Sequence, residues 1–235
     1  ATARADRELV ADSLDRAEAH ATLSDALQAA GQSEQALVEA RAVAATFARV
    51  DGERTEHYGR ALELEARALT GLHRDRDAAA AYERACDIMA FHAGEASSER
   101  ADCLVQRSET LLRLGESREA AALADQACAA MTKAFGNDNP ALAGALYARG
   151  AAHADRGEHD AAIADLERAV AIYRSHASDP GYLGQAESQL ATQLWSRDRA
   201  RAEALIDDAR KQLENAPALW KDVRDQVAAQ WPGSD

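Results

Sequence analysis

The sequence predicts an all-α fold: a right-handed α-solenoid of about five helix pairs, closed by a C-terminal capping helix. Three observations predict it. Small and large side chains recur in one register every 42 residues. Only 5% of the chain is aromatic while alanine is abundant, which suits closely packed helices better than strands, whose surfaces favour β-branched and aromatic residues. Four prolines and 13 glycines leave little room for disordered linkers.

The register is clearest in Pro140–Tyr173, which reads as two amphipathic helices joined by a tight turn at Asp155–Glu158. Stepping back 42 residues at a time takes Gly157 to Gly115, His73 and Gly31. Ala162 becomes Ala120, Ala78 and Ala36, and Ala169 becomes Ala127, Ala85 and Val43. Gly150, in mid-helix, becomes Ser108, Ala66 and Ser24, and Tyr173 becomes Met131, Met89 and Phe47. Gly136, between units, becomes Gly94 and Gly52. Small residues at fixed places let antiparallel helices approach closely, and a turn glycine takes a backbone angle that other residues resist. Such self-similarity marks a repeat architecture.

Each element follows from that register, within a single domain over residues 1–235. The first copy spans about residues 4–50, with a long leading helix that Gly31 ends and a second helix from Ser33 to Arg49. The second spans about 54–91. The third, about 97–135, has Ser97 and Ser98 as candidate N-caps. In the fourth, about 139–175, Asp138 or Asn139 caps a helix whose first turn holds Pro140. A fifth, degenerate copy occupies about 180–214; Ser178–Pro180 gives the stop-and-cap signal, and the helix pair is read as Gln185–Trp195 and Arg199–Leu213. Residues 217–231 form the capping helix. Its stripe of Leu219, Trp220, Val223, Val227 and Trp231, backed by Ala228, is suited to cover the last apolar face of a stack.

The totals exclude some function classes. Net charge is −13, from 40 acidic and 27 basic residues. Such a surface repels phosphate backbones and attracts a basic peptide, so nucleic acid is not expected as a partner. No apolar run approaches the roughly 20 residues that span a bilayer, so no membrane insertion is expected. No signal peptide opens the chain, and Ala1 is not an ordinary start, so further chain is expected before it. The odd set Cys86, Cys103 and Cys128, without paired CxxC spacing, reads as free buried thiols in a cytoplasmic, reducing setting.

The glycine turn, the mid-helix small residue and the paired alanines resemble the tetratricopeptide repeat. The junction Phe135-Gly-Asn-Asp-Asn-Pro140 and the 42-residue step are similar to the longer repeats of kinesin light chain. HEAT and armadillo repeats have comparable periods but lack this arrangement. The stretch from Leu194 to Ala202, followed by a short closing helix, is similar to the C-terminal repeat arrays of bacterial, myxobacterial-type serine/threonine protein kinases. No kinase motif stands in the chain itself.

The resemblance implies a scaffold that binds a protein or peptide on a concave face lined by the first helix of each pair. Projected onto this chain, that face carries Glu63, Arg67, Gln106, Glu109, Arg113 and Tyr147. The asparagine ladder of kinesin light chain and the carboxylate clamp of chaperone-binding repeats have no counterpart here. Glu65, Arg107 and Arg149 precede the small mid-helix position, where the family usually has leucine. Glu65 is expected to pair with Arg107 between neighbouring first helices, and Arg149 with Glu109 or Glu187, as structural inter-repeat charges.

Seven scattered histidines show no metal-ligand spacing, and there is no nucleophile elbow, phosphate loop or dinucleotide fingerprint. The expectation is a protein that is not an enzyme, with no metal and no cofactor. A self-association module that forms a homodimer, and a small-molecule sensor, remain as alternatives. A solvated helix face remains as the plain alternative for the six concave-face residues.

Overall fold

A left-handed backbone residue ends the first helix of four pairs: Gly31, His73, Gly115 and Gly157, with φ of 71°, 56°, 77° and 74°. A second set, Gly52, Gly94 and Gly136, has φ of 93°, 92° and 82° and follows second helices. These angles cost a non-glycine residue about 1 kcal/mol or more, and they reverse the chain in very few residues. The structure, a computed structural model, describes residues 2–94, 97–176 and 179–231, with side chains from residue 13 onward. The Ser178 stop signal lies outside the described residues.

The chain is an all-α solenoid, and no strand occurs among the described residues. It divides into two compact units, residues 1–103 and 104–235. The first contains α1 (Thr2–Ala29), α2 (Ser33–Val50), α3 (Glu56–Gly71), α4 (Asp75–Ala93) and the start of α5 (Ser98–Arg113). The second contains the rest of α5, α6 (Ser117–Phe135), α7 (Pro140–Asp155), α8 (His159–Ser175), α9 (Pro180–Leu194), α10 (Arg199–Glu214) and α11 (Lys221–Gln230). Within each unit, helices consecutive in sequence pack on one another, and alternate first helices also touch, α1 with α3 and α7 with α9.

Caps fix where helices start. The side chains of Thr55, Asn139, Asp179 and Asp198 each accept a backbone N–H from the first turn of their helix, a contribution of about 1 kcal/mol apiece. Asn139, rather than Asp138, is the cap before Pro140. Helix α9 starts at Pro180, five residues earlier than expected, because Asp179 receives the Gly181 N–H at 2.7 Å.

The mid-helix small position has a specific neighbour. Ser24 donates to the Ala36 carbonyl at 3.0 Å and Ser108 to the Ala120 carbonyl at 2.8 Å. At the same place in α7, a Cβ added to Gly150 would lie 3.3 Å from the Ala162 carbonyl and 2.9 Å from Leu166 Cγ. Each alanine carbonyl is thus approached by the facing helix. Gly150→Val is expected to cost about 2 kcal/mol through overpacking, while Gly150→Ser stays within about 1 kcal/mol because its hydroxyl gains that carbonyl. Urea melts of the two variants check this, and equal losses would contradict it.

The C-terminal end closes the second unit. Trp220 packs directly against Gly181, where an added Cβ would lie 2.1 Å from the indole. Leu213, Ala216, Trp220 and Val227 form a buried cluster, with Val223 and Trp231 packed against it. Leu219 and Ala228 turn to solvent, contrary to the expected stripe, because a single 3-10 turn at Ala218–Trp220 precedes α11 and rotates the register. Arg224 donates to the carbonyls of Leu213 (2.9 Å) and Ala216 (3.1 Å), satisfying the end of α10.

Two sequence expectations are corrected. Cys86 and Cys103 are joined in a disulfide between α4 and α5, and only Cys128 is free and buried. A helix hairpin followed by a reversal brings their Cα atoms to 5.6 Å, a proximity that spacing along the chain does not reveal. The charges before the small position also find other partners. Glu65 accepts from Arg41 of α2 at 2.9 Å, and Arg107 pairs with Glu119 of α6 at 2.8 Å. Arg149 holds Asp165 of α8 through two bonds of 2.7 Å and Asp125 of α6 at 3.4 Å, in place of Glu109 or Glu187. Each side chain leaves its first helix toward the second helices, where carboxylates stand within reach.

Candidate partner-binding surface

In the first unit, α3 presents Glu56, Arg60, Glu63 and Arg67 along one stripe, spaced by four, three and four residues, the recurrence that keeps side chains on one helix face. Arg60 pairs with Glu56 at 2.7 Å, and Arg67 pairs with Asp25 of α1. Glu63 has no hydrogen bond or ion pair among the described residues. Burial pushes its carboxyl up to about 7, with Arg67 pulling it down and Asp102 adding to the rise. Asp102, on the first turns of α5, is itself pushed up to about 6 by burial and by the neighbouring Glu99.

In the second unit, Gln106, Glu109 and Arg113 continue along α5. Glu109 is half-buried and makes no hydrogen bond or ion pair among the described residues. Burial pushes its carboxyl up to about 7, against the opposing field of Arg113. The Arg113 guanidinium donates to Thr110 Oγ1 at 3.1 Å. Tyr147 of α7 is half-buried; burial first and the Glu109 charge second push its hydroxyl far above the usual phenol range. Burial first and the same Glu109 charge second raise Tyr173, whose ring stacks on Tyr182 at 6.0 Å. Gln106 has its backbone carbonyl engaged by Thr110 at 2.8 Å.

Glu63 and Arg67 therefore share one face of α3, and Glu109 lies within electrostatic reach of Tyr147. Asp102, Tyr173 and Tyr182 belong beside them and escape the sequence reading. Asp102 carries a signal, since 102, 106, 109 and 113 make one helical stripe. Tyr173 sits at a repeating large apolar position, which masks the reach of its hydroxyl toward Gly144. Of the histidines, His153 meets Glu158 at 2.5 Å, and His159 is exposed and meets Gln193 at 2.9 Å.

The raised carboxyls make a pH prediction. Folded groups near 7 hold protons that the unfolded chain, near 4.5, has lost. Stability therefore rises as pH falls from 8 toward 5 and gains nothing further from these groups below the unfolded value. Glu63→Gln and Glu109→Gln should each stabilise at pH 8 by on the order of 1 kcal/mol, less than the full shift because solvent reaches both. Denaturant midpoints at pH 8 and pH 5 check it; a variant midpoint below the parent's at pH 8 would count against it.

Among the described residues, no group of three or more His, Cys, Asp or Glu is placed to hold a metal ion, and no helix is long and apolar enough to cross a membrane. Helices α5 to α8 repeat one antiparallel hairpin twice, each with its small residue against a second-helix carbonyl. Residues 97–175 match the family model of the tetratricopeptide repeat. Solved structures share the fold over most of the chain. BtubC (BKLC) from P. vanneervenii is 20% identical with a TM-score of 0.69, covering 97% of this chain and 93% of that one. The nearly identical TPR-like repeats of a Podosopora anserina putative kinesin light chain are 19% identical, TM-score 0.66, covering 85% and 95%. A Rap protein complexed with Competence and Sporulation Factor is 16% identical, TM-score 0.64, covering 92% and 64%. No curated protein matches the chain in sequence. The tetratricopeptide fold generally mediates protein–protein interaction.

Proposed function

We propose that the chain is an interaction scaffold whose first-helix face docks a basic protein or peptide. The observation that carries this reading is a mismatch of partners. Glu63 and Asp102 in one unit, and Glu109 in the other, make no hydrogen bond or ion pair among the described residues, although arginines stand on the same stripes. Arg60 and Arg67 are committed to Glu56 and Asp25. Glu63 and Glu109 are half-buried, and unpaired carboxylates so placed are costly to leave; a lysine or arginine from a partner would relieve the cost. Gln106, Arg113 and Tyr147 supply the polar and aromatic surround, and the −13 charge favours the encounter.

Titration calorimetry with a short peptide of lysine and leucine tests the proposal. Binding should weaken in Glu63→Gln/Glu109→Gln. It should also weaken as pH falls from 8 to 6, since the neutral acids no longer attract the cation. Binding that is indifferent to both would sink it.

The left-handed residues 42 apart support the longer, kinesin-light-chain-like form of repeat. The resemblance of Leu194–Ala202 supports a recruitment role within a larger signalling protein such as a bacterial Ser/Thr kinase, which the complete open reading frame tests. The Cys86–Cys103 bond withdraws the support that reduced thiols gave to a cytoplasmic setting.

A further inference from the structure

Polar groups of three helices in the second unit lack a protein partner. The Glu109 carboxylate of α5, the Tyr147 hydroxyl of α7 and the Tyr173 hydroxyl of α8 make no hydrogen bond among the described residues. Gly144 shows how they come together. A Cβ added to Gly144 of α7 would lie 3.7 Å from Val105 Cγ1 of α5 and 3.5 Å from the Tyr173 hydroxyl. Helices α5 and α7 run the same way, so one turn further along them Glu109 stands beside Tyr147. In keeping with this, the Glu109 charge adds to burial in raising both phenols. Tyr182 of α9 completes the aromatic side; its ring stacks on Tyr173 at 6.0 Å and is 41% exposed. What lies open here is carboxylate, phenol and ring.

Packing does not demand a glycine at 144. At the other helical glycines of this unit, Gly150, Gly181 and Gly184, an added Cβ would meet atoms at 2.9, 2.1 and 2.8 Å. At Gly144 the neighbours are at ordinary contact distance, and alanine is the better helix former. One repeat back the same place holds Asp102, and two back it holds Arg60. The bare backbone leaves a notch beside Tyr173, of the kind that lets a ligand approach the main chain closely. Arg113 does not neutralise the spot. Its guanidinium donates to Thr110 Oγ1 at 3.1 Å, and burial keeps the Glu109 carboxyl up at about 7 against the Arg113 field.

We infer that this patch seats an arginine side chain of the partner, with its guanidinium on the Glu109 carboxylate and its stem over Gly144. The inference rests on the reading that the first-helix face docks a basic partner, and it names the residue that anchors that partner in the second unit. A guanidinium carries five donors in a planar fork, which suits two carboxylate oxygens and neighbouring phenol oxygens better than the point charge of a lysine. It is also more weakly hydrated and lies readily against aromatic rings.

Two peptides of equal length test it, one of arginine and leucine and one of lysine and leucine. Calorimetry at pH 8 uses the whole chain with its Cys86–Cys103 bond intact. The arginine peptide should bind about tenfold tighter. Glu109→Gln should bring the two affinities within about twofold of each other, and Tyr147→Phe should narrow the gap. Glu63→Gln, in the other unit, should weaken both peptides alike. Gly144→Ala should raise the urea midpoint and yet weaken the arginine peptide, a split that a purely structural glycine would not give. Equal affinity for the two peptides, a preference that survives Glu109→Gln, or one untouched by Gly144→Ala would overturn the arginine site and leave the docking reading standing. Binding of neither peptide would overturn both.

Discussion

Replacing Arg174 by alanine is expected to cost about 3 kcal/mol of folding stability at pH 8, the low end of what is seen when a buried charge loses its partner; Arg174 itself is half-exposed. Glu187 of α9 is 1% exposed. Its Oε1 receives both Nε and Nη2 of Arg174, at 3.0 and 2.6 Å, while its Oε2 has no partner among the described residues. Burial already raises the Glu187 pKa above the ordinary carboxylate value, and the Arg174 bond is what holds it down. Without the guanidinium, the folded protein must keep a bare buried carboxylate or take up a proton. Because the folded pKa lies above the unfolded one, the penalty is greatest at high pH and shrinks as pH falls through the folded value. The deficit of Arg174→Ala should therefore be smaller at pH 5 than at pH 8. Glu187→Gln in the same background should recover part of it at pH 8, since a neutral amide is cheaper to bury. Chemical denaturation at the two pH values measures both, and a deficit independent of pH would point to lost packing of the arginine stem instead.

The turns of this fold are legible because their chemistry is local. A left-handed residue is glycine or is strained, so Gly31, Gly115 and Gly157 declare themselves, and His73 is found only by counting from them. The start of α9 is hidden for the opposite reason. Gly181 and Gly184 look like helix breakers, yet Trp220 needs the bare Cα of Gly181, and the Ala209 carbonyl would lie 3.0 Å from a Cβ at Gly184. Those demands come from residues that are distant in sequence. The surface is half legible. Helical spacing puts Glu63 with Arg67 and Glu109 with Arg113, but which charges stay unpaired depends on what other helices bring near. Arg67 turns to Asp25, and Glu65 to Arg41. Periodicity gives a residue its face; it does not give the partner waiting across the groove.

The disulfide is the second place where the stack, and not the spacing, decides, and its removal should match the first prediction in size. Cys86 and Cys103 are 17 residues apart and both at most 1% exposed. Closing a loop of that length constrains the unfolded chain by about 3 kcal/mol. Cys86→Ala/Cys103→Ala should lose about that much, and a dithiol reductant should lower the parent's melting temperature while leaving the variant's unchanged. The repeat supplies a converse test. Cys128 stands 42 residues after Cys86, and Ala145, fully buried, stands 42 after Cys103. If the two hairpins present these positions alike, Ala145→Cys will bond to Cys128 and add about 2 kcal/mol, abolished by reductant. Mass spectrometry of the oxidised variant would show two bonds and no free thiol. A free Cys128 in that variant would mean that the second pair of helices meets differently, despite sharing the register of the first.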